Sequence, residues 1–188
     1  MLSRLYLRKD HRNLLESPPH LRKPPTLSPL FSDRSNIAHA LELARTGFED
    51  EGKGIPIGTC LVDNKTGKML RVGWRRRVQL GSATKHGEID LLENIDSLPA
   101  RVYRKSTLYT TLSTCTMCTG ACILYSIPRV VIGENDTFLG GEGILKQHDV
   151  EVVKLDMQDC KLLMKRFIEE CTEVWWEDIG ETGKGAAE

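Results

Sequence analysis

Hydrophobic and polar positions repeat with two different periods along the chain, and these periods predict helices and strands. From Asp33 onward, apolar residues recur every three to four positions, which predicts an amphipathic helix that ends near Gly52 and Gly54. We expect Asp33 to cap this helix, because aspartate accepts hydrogen bonds from free backbone N–H groups. The same period predicts a second long helix over 157–171.

Shorter elements occupy the chain between these two helices. Runs rich in β-branched and aromatic residues predict strands at 55–62, 68–74, 106–112, 129–133 and 150–155. A turn over 64–67 joins the first two strands into a hairpin, and helices are predicted over 87–95 and 117–126. Because strands and helices then alternate, we expect an α/β fold, a three-layer α/β/α domain with a mixed five-stranded sheet.

The first 32 residues differ from the rest in composition. Five of the eight prolines lie between Pro18 and Pro29, and the segment 1–32 holds six basic residues against two acidic ones. We interpret 1–32 as a basic, proline-rich, disordered extension, with an amphipathic mitochondrial presequence as the alternative. A domain over 33–181 and a flexible tail over 182–188 follow.

The overall composition is that of a globular protein, with 40% hydrophobic and 28% charged residues. There is no 18-residue apolar run, so no membrane partner is expected. The formal net charge is zero, which gives no electrostatic reason to expect a nucleic-acid partner. No secretory signal is visible, and the six cysteines are then expected as thiols in a reducing compartment, the cytoplasm or also the nucleus.

Two short motifs carry the candidate chemistry. His86-Gly87-Glu88 and Cys115-Thr116-Met117-Cys118 each stand at the start of a predicted helix, where free N–H groups favour thiolates. Two thiolates and one imidazole are three ligands for Zn²⁺, and an open fourth position for water makes such a site catalytic.

Two other interpretations of the cysteines remain at this point. Cys122 lies one helical turn after Cys118 and is the nearest candidate for a fourth ligand of a structural zinc. A redox Cys-x-x-Cys motif is the other alternative, although it needs no neighbouring His-x-Glu. For Cys60, Cys122, Cys160 and Cys171, packing in the core is the favoured role.

Glu88 lies two residues beyond His86 and need not be a ligand. A His-x-Glu motif followed by Cys-x-x-Cys is the known signature of the zinc nucleobase deaminases, in which the glutamate transfers protons. Zinc lowers the pKa of bound water to near neutrality, so that hydroxide attacks the amidine carbon while Glu88 protonates the ring nitrogen and then the departing amine.

Over 34–181, about four-fifths of its length, the chain resembles the fungal cytosine deaminases of the cytidine-deaminase-like superfamily. The most specific matches are GSATKHGE (81–88), LYTTLS (108–113), CTGA (118–121), IPR to GEN (127–135) and WEDIGE (176–181). The resemblance implies a homodimeric hydrolase that converts the small pyrimidine base cytosine to uracil and ammonia in pyrimidine salvage.

The resemblance also implies roles for particular residues. It assigns the zinc to His86, Cys115 and Cys118, and the proton transfer to Glu88. The remaining assignments are Phe138 and Trp175 as aromatic walls and lid, with the Ser113 backbone and the Asp178 carboxylate beside the departing amine. Aromatic faces suit a flat ring, and a carboxylate accepts N–H bonds that an amino group offers and a carbonyl does not. For the two aromatic residues, a hydrophobic lid or a dimer contact is the alternative.

Two positions depart from the family pattern. Thr114 replaces a proline before the first zinc cysteine, which removes a rigid residue from that loop. Arg75 stands where the fungal enzymes have a pyrimidine-binding asparagine. An asparagine amide both donates and accepts hydrogen bonds, whereas a guanidinium only donates them, so the ring must be recognised differently.

Three hypotheses for Arg75 follow. In the first, cytosine remains the substrate, and Arg75 donates to its carbonyl or points to solvent. In the second, Arg75 binds a phosphate or carboxylate, so that the substrate is a nucleotide or another anionic heterocycle. In the third, the protein binds zinc with little turnover, and Arg75 fills the pocket or pairs with Glu88. Arg76 and Arg77 are expected at an exposed basic strand end.

Overall fold

The computed structural model describes residues 33–94 and 98–180, so the predictions for 1–32 and 182–188 lie outside the described residues. The strands of its one sheet are β1 (Gly58–Asp63), β2 (Met69–Trp74), β3 (Ser106–Leu112), β4 (Arg129–Glu134) and β5 (Glu151–Lys154), in the spatial order β2-β1-β3-β4-β5. β1 pairs antiparallel with both β2 and β3, whereas β3, β4 and β5 are parallel to each other. The predicted mixed five-stranded sheet is therefore confirmed.

Eight α-helices lie in the described part of the chain. They are α1 (Asp33–Arg45), α2 (Arg77–Leu80), α3 (Gly87–Glu93), α4 (Ala100–Tyr103), α5 (Thr116–Leu124), α6 (Glu142–Gln147), α7 (Gln158–Glu170) and α8 (Thr172–Ile179). A π-helical turn over Thr46–Asp50 continues α1, so the predicted helix changes its hydrogen-bond pattern before it reaches Gly52.

Two hydrophobic clusters pack against opposite faces of the sheet. One contains apolar residues of α1, α7 and α8, and the other contains those of α3, α4, α5 and α6. Neighbouring strand residues point to different clusters, as Cys60 and Leu61 do in β1. Both faces of the central strands are therefore buried, and β3 is buried at all seven of its positions. The three-layer α/β/α prediction is confirmed.

Two sequence expectations differ from the structure in detail. β1 begins at Gly58 rather than at Ile55, because Ile55 and Ile57 are buried in the core without belonging to the strand. Asp33 is the first residue of α1, and its carboxylate accepts hydrogen bonds from the side chains of Arg129 and Tyr109. The apolar character of Ile55 and Ile57 therefore indicated that these residues are buried, but it did not indicate that they belong to a strand.

Four helices were not predicted, namely α2, α4, α6 and α8. Three of them have four to six residues, too few for a helical period to be recognised. α8 has eight residues and follows α7 almost directly, so its apolar positions extend the pattern of the longer helix. This helix carries Trp175 and Asp178, and it thereby contributes directly to the site.

Helix α3 lies very close to strand β2. A Cβ atom on Gly73 would lie 2.5 Å from the backbone nitrogen of Leu91 and 2.6 Å from the carbonyl oxygen of Gly87. Only glycine permits this approach. The contact fixes the start of α3, and with it His86 and Glu88, against the end of the sheet. Among the helices of 33–94 and 98–180, none has the length and apolarity needed to cross a bilayer.

Candidate active site

A cluster of three potential metal ligands lies where two helices begin. His86 immediately precedes α3, Cys115 immediately precedes α5, and Cys118 is in the first turn of α5. One donor atom from each residue lies within 4.8 Å of the others, and His86 Nδ1 is 3.4 Å from Cys115 Sγ. The two motifs are 27 residues apart, and the fold brings them together.

The donor set and its spacing suit zinc. With a Zn–S distance of about 2.3 Å, a Zn–N distance of about 2.1 Å and tetrahedral angles, a sulfur and a nitrogen ligand are separated by about 3.6 Å. The distance between His86 and Cys115 is close to this value. No other group of three or more such side chains occurs in the described ranges, and Cys122 is not a member of this one. Three ligands leave a coordination position for water.

The metal-free cluster favours one thiolate. Hydrogen bonds from the Cys118 thiol and from His86 lower the pKa of Cys115 to about 4, although partial burial acts against them. The pKa of Cys118 is raised, first because its thiol hydrogen-bonds to Cys115 and second because it is buried. A metal that binds here therefore meets a thiolate at Cys115 and displaces the thiol proton of Cys118.

Glu88 lies in the first turn of α3 and is only 3% exposed. Burial raises the pKa of its carboxyl group, and the negative charge of Cys115 raises it further. Glu88 is outside the group of metal donors but lines the same cavity as His86 and Cys115. A buried carboxyl group with a raised pKa, next to a metal site, is suited to accept and return a proton.

These side chains face a cavity of about 290 Å³. Small-molecule sites typically measure roughly 300–1,000 Å³, so this volume suits a small ligand. The residues singled out from the sequence that line the cavity are Arg75, His86, Glu88, Ser113, Cys115, Phe138, Trp175 and Asp178. Lining residues that the sequence did not indicate are Ile57, Leu112, Thr116, Met117 and Ile179. Most of these are apolar residues at the ends of strands and helices, and nothing in their sequence separates them from the core.

The loop before Cys115 is held by hydrogen bonds instead of a proline. Thr114 is fully buried, its hydroxyl lies 2.9 Å from that of Thr119, and its carbonyl accepts the N–H of Gly141. The side chain of Ser113 donates to Glu142 and accepts the N–H of Gly140. The backbone N–H of Ser113 donates to the carbonyl of Glu134, so its backbone carbonyl is the part that remains for a ligand.

The position of Arg75 departs from two of the expectations for it. It follows β2 directly and is 2% exposed, so it does not point to solvent. Its guanidinium forms an ion pair with Asp178 of α8, not with Glu88. The side chain of Asp178 is 7% exposed, and both residues line the cavity. Two groups predicted separately to contact the substrate therefore bind each other.

Arg76 and Arg77 also differ from expectation, since they are half-buried and paired. Arg76 donates to the buried carboxylate of Asp90, and its guanidinium lies 5.1 Å from the ring centre of Trp74. Arg77 begins α2 and donates to Glu177 of α8 at 2.6 Å. The interpretation of these arginines as an exposed basic strand end is wrong, because acidic residues distant in the sequence pack against them.

The remaining cysteines are part of the core. All six cysteines are free thiols, and Cys60, Cys122, Cys160 and Cys171 are buried in the two hydrophobic clusters. Burial raises the pKa of Cys60 and of Cys160 to about 12 in each case. Cys60 and Cys160 are therefore neutral thiols, and all four cysteines pack in the core, as the packing interpretation expected.

The fold and the donor cluster define a class of α/β proteins with a candidate metal site, and comparison with known families identifies that class. Residues 32–134 match the family model described as the cytidine and deoxycytidylate deaminase zinc-binding region. The chain belongs to this family, which confirms the family resemblance seen in its sequence motifs.

The names of individual relatives state different substrates. Over 151 residues, the chain is 46% identical to a cytosine deaminase of Candida albicans, which covers 80% of this chain and 99% of that protein. It is 38% identical over 113 residues to a tRNA-specific adenosine deaminase of Haemophilus influenzae, which covers 59% of this chain and 63% of the other. A guanine deaminase structure from Nitrosomonas europaea superimposes with a TM-score of 0.58 at 19% identity, over 85% of this chain and 98% of that one, and supports the fold.

Proposed function

We propose that the protein is a zinc-dependent hydrolase that converts cytosine to uracil and ammonia. The observation that carries this proposal is the joint placement of His86, Cys115 and Cys118, as a donor cluster, beside the buried carboxyl group of Glu88. The high identity to the cytosine deaminase of Candida albicans supports the choice of base. Pyrimidine salvage is the process that such a reaction serves.

Zinc, when bound by His86, Cys115 and Cys118, supplies a water molecule whose pKa is near neutral. Glu88 accepts a proton from this water and transfers it to the ring nitrogen N3. The hydroxide left from the water adds to the ring carbon C4, and Glu88 passes the remaining proton of that hydroxyl group to the amino group, so that the C4–N bond breaks and ammonia leaves. The raised pKa of Glu88 assists both transfers, because the carboxyl group holds a proton near neutral pH more readily than an exposed glutamate does.

Other cavity residues orient the base. Phe138 and Trp175 contribute aromatic surface to the wall, which suits a flat ring. The proposed role of Asp178 is to accept an N–H bond from the departing amine. Its Oδ1 atom is bound by Arg75, and a carboxylate has further acceptor capacity to offer. The same ion pair speaks against a nucleotide substrate, because the charge of Arg75 already has a partner.

Ammonia release tests the proposal. Purified, zinc-loaded protein is expected to release ammonia from cytosine, and Glu88→Gln is expected to lower kcat about 10²–10⁴-fold with unchanged zinc content. Glu93→Gln is the matched control, because Glu93 lies on the same helix but is exposed and outside the cavity. No release above background from the parent protein would remove cytosine as the substrate.

We also propose that the protein is a homodimer. Helices α5 and α6 contact each other and expose apolar side chains, of which Leu124 is 76% and Ile144 39% exposed. Exposed apolar side chains on two helices in contact are candidates for an interaction surface. Sedimentation equilibrium is expected to give twice the chain mass for the parent protein and the chain mass for Leu124→Glu. A monomeric parent would contradict the proposal.

A further inference from the structure

Arg75 is the one arginine that lines the cavity in the described part of the chain. Its backbone N–H donates to the carbonyl of Ile57, which fixes it beside the start of β1. Its guanidinium reaches Asp178 on α8, so the side chain lies between the sheet edge and the last helix. Because the side chain is almost fully buried and paired, its direction is fixed before a ligand arrives.

The charges around Arg75 are balanced. Asp178 accepts from Arg75, and Arg77 Nε lies 3.5 Å from the same Asp178 oxygen. Arg77 has its own partner in Glu177. An anionic ligand in the cavity would therefore face the carboxylate of Asp178 and no unpaired guanidinium. Such an arrangement disfavours a phosphate or carboxylate group, because like charges repel strongly in a buried site.

One donor of Arg75 remains unused by the protein. Its Nε atom is buried and has no hydrogen-bond partner within residues 33–94 and 98–180. A buried donor without an acceptor destabilises the structure that contains it. This Nε atom is closed off from the cavity, but Arg75 itself lines it, so a ligand with a neutral acceptor meets the guanidinium there without disturbing the ion pair with Asp178.

We propose that Arg75, held by Asp178, is a specificity-determining residue that selects neutral heterocycles with a carbonyl oxygen facing its guanidinium, and disfavours anionic ones. This inference rests on the proposed deaminase function of the cavity and names its class of substrate. The carbonyl group of cytosine is an acceptor of the required kind. A guanidinium accepts no hydrogen bond, so the ring needs no N–H group at this edge.

Binding without turnover tests the role of Arg75. Calorimetry on zinc-loaded Glu88→Gln protein compares cytosine with 4-aminopyrimidine, which is the same ring without the carbonyl group, and with deoxycytidylate. Cytosine is expected to bind about 10–100-fold more tightly than 4-aminopyrimidine, the range for a hydrogen bond from a charged donor, and deoxycytidylate more weakly than cytosine. Adding Arg75→Met is expected to reduce the preference for cytosine over 4-aminopyrimidine about tenfold or more.

Arg77→Met is the matched control, since it removes an arginine next to Asp178 that does not line the cavity. In this variant, the ratio of the affinity for cytosine to the affinity for 4-aminopyrimidine is expected to stay unchanged. If Arg75→Met does not fold, the double variant Arg75→Met with Asp178→Leu removes both buried charges. Its preference for cytosine over 4-aminopyrimidine is expected to fall as much as in Arg75→Met.

An affinity ratio that survives both Arg75 variants overturns the proposal, as does the lack of measurable binding of either neutral base. Tighter binding of deoxycytidylate that depends on Arg75 would instead make Arg75 a phosphate-binding residue. These outcomes are separate from a failure of the proposed reaction, because a parent protein that releases no ammonia can still show the affinity ratio.

Discussion

Arg75 and Asp178 are 103 residues apart in the sequence, and their buried ion pair joins the end of strand β2 to helix α8. We expect Arg75→Met or Asp178→Asn to lower the free energy of unfolding by about 3–5 kcal/mol, because each change leaves the other residue of the pair as a buried charge without an ionic partner. Replacing both residues, as in Arg75→Met with Asp178→Leu, is expected to cost less than the two single changes together. Urea unfolding monitored by tryptophan fluorescence measures these differences.

The neighbouring pair provides the control for this experiment. Arg77 binds Glu177, whose side chain is 63% exposed, so Arg77→Met is expected to cost less than about 1 kcal/mol. If Arg75→Met were no more costly than Arg77→Met, the buried pair would not hold α8 in place.

Removal of the metal is expected to expose a reactive thiolate at Cys115. Since hydrogen bonds from Cys118 and His86 lower its pKa to about 4, Cys115 is ionised at pH 6, whereas burial raises the pKa of Cys60 to about 12. In metal-free protein, iodoacetamide is expected to modify Cys115 well before Cys60, and added zinc to slow the reaction. Peptide mass spectrometry locates the label. Equal labelling of Cys115 with and without zinc would contradict a metal site at this residue.

Phe138 is expected to act on substrate binding more than on the reaction step. Its ring lines the cavity, and an aromatic contact contributes about 0.5–1.5 kcal/mol, so Phe138→Ala is expected to raise KM roughly 2–12-fold with little change in kcat. Steady-state kinetics on cytosine measures both constants. Trp176→Ala is the control, because Trp176 packs against the core and does not line the cavity. A loss of stability without a change in KM would make Phe138 a packing residue only.

Much of the fold could be predicted because its elements have clear local patterns. The amphipathic period of α1 and α7, and the strand-forming residues of β3 and β4, indicated the layers of the domain. The residue spacing within each of the two metal-site motifs is also local information, because each motif lies at the start of a single helix. The donor cluster could therefore be proposed before its distances were known.

The environment of Arg75 could not be predicted in the same way. Its partner lies on α8, a helix of eight residues directly after a longer one, and sequence periodicity does not show which distant charges will meet. The same limit applies to Arg76 and Asp90, and to Arg77 and Glu177. A run of three arginines is typical of an exposed basic segment in sequence, but in the folded protein each of them forms an ion pair with an acidic residue.

The ion pair between Asp33 and Arg129 is expected to make stability depend on pH. Two parallel hydrogen bonds of 3.0 and 2.9 Å join the side chains, and Arg129 lowers the pKa of Asp33 below its ordinary value of 3.8. A lowered carboxyl pKa stabilises the folded state above the unfolded pKa, and this contribution is lost as the pH falls through the folded pKa. The pair ties the start of α1 to the start of β4, so its loss should be measurable in global unfolding.

Asp33→Asn is therefore expected to lower the free energy of unfolding by about 1 kcal/mol at pH 7, the value for a partly exposed pair, and to lower it less at pH 3, which is below the unfolded pKa of 3.8. Urea titrations of parent and variant at each pH measure the difference. Glu42→Gln is the matched control on the same helix, since Glu42 is 73% exposed and reaches Arg45 only at 3.7 Å. It is expected to change stability little at either pH. A difference between parent and Asp33→Asn that persists unchanged at pH 3 would show that Asp33 acts through packing and not through its charge.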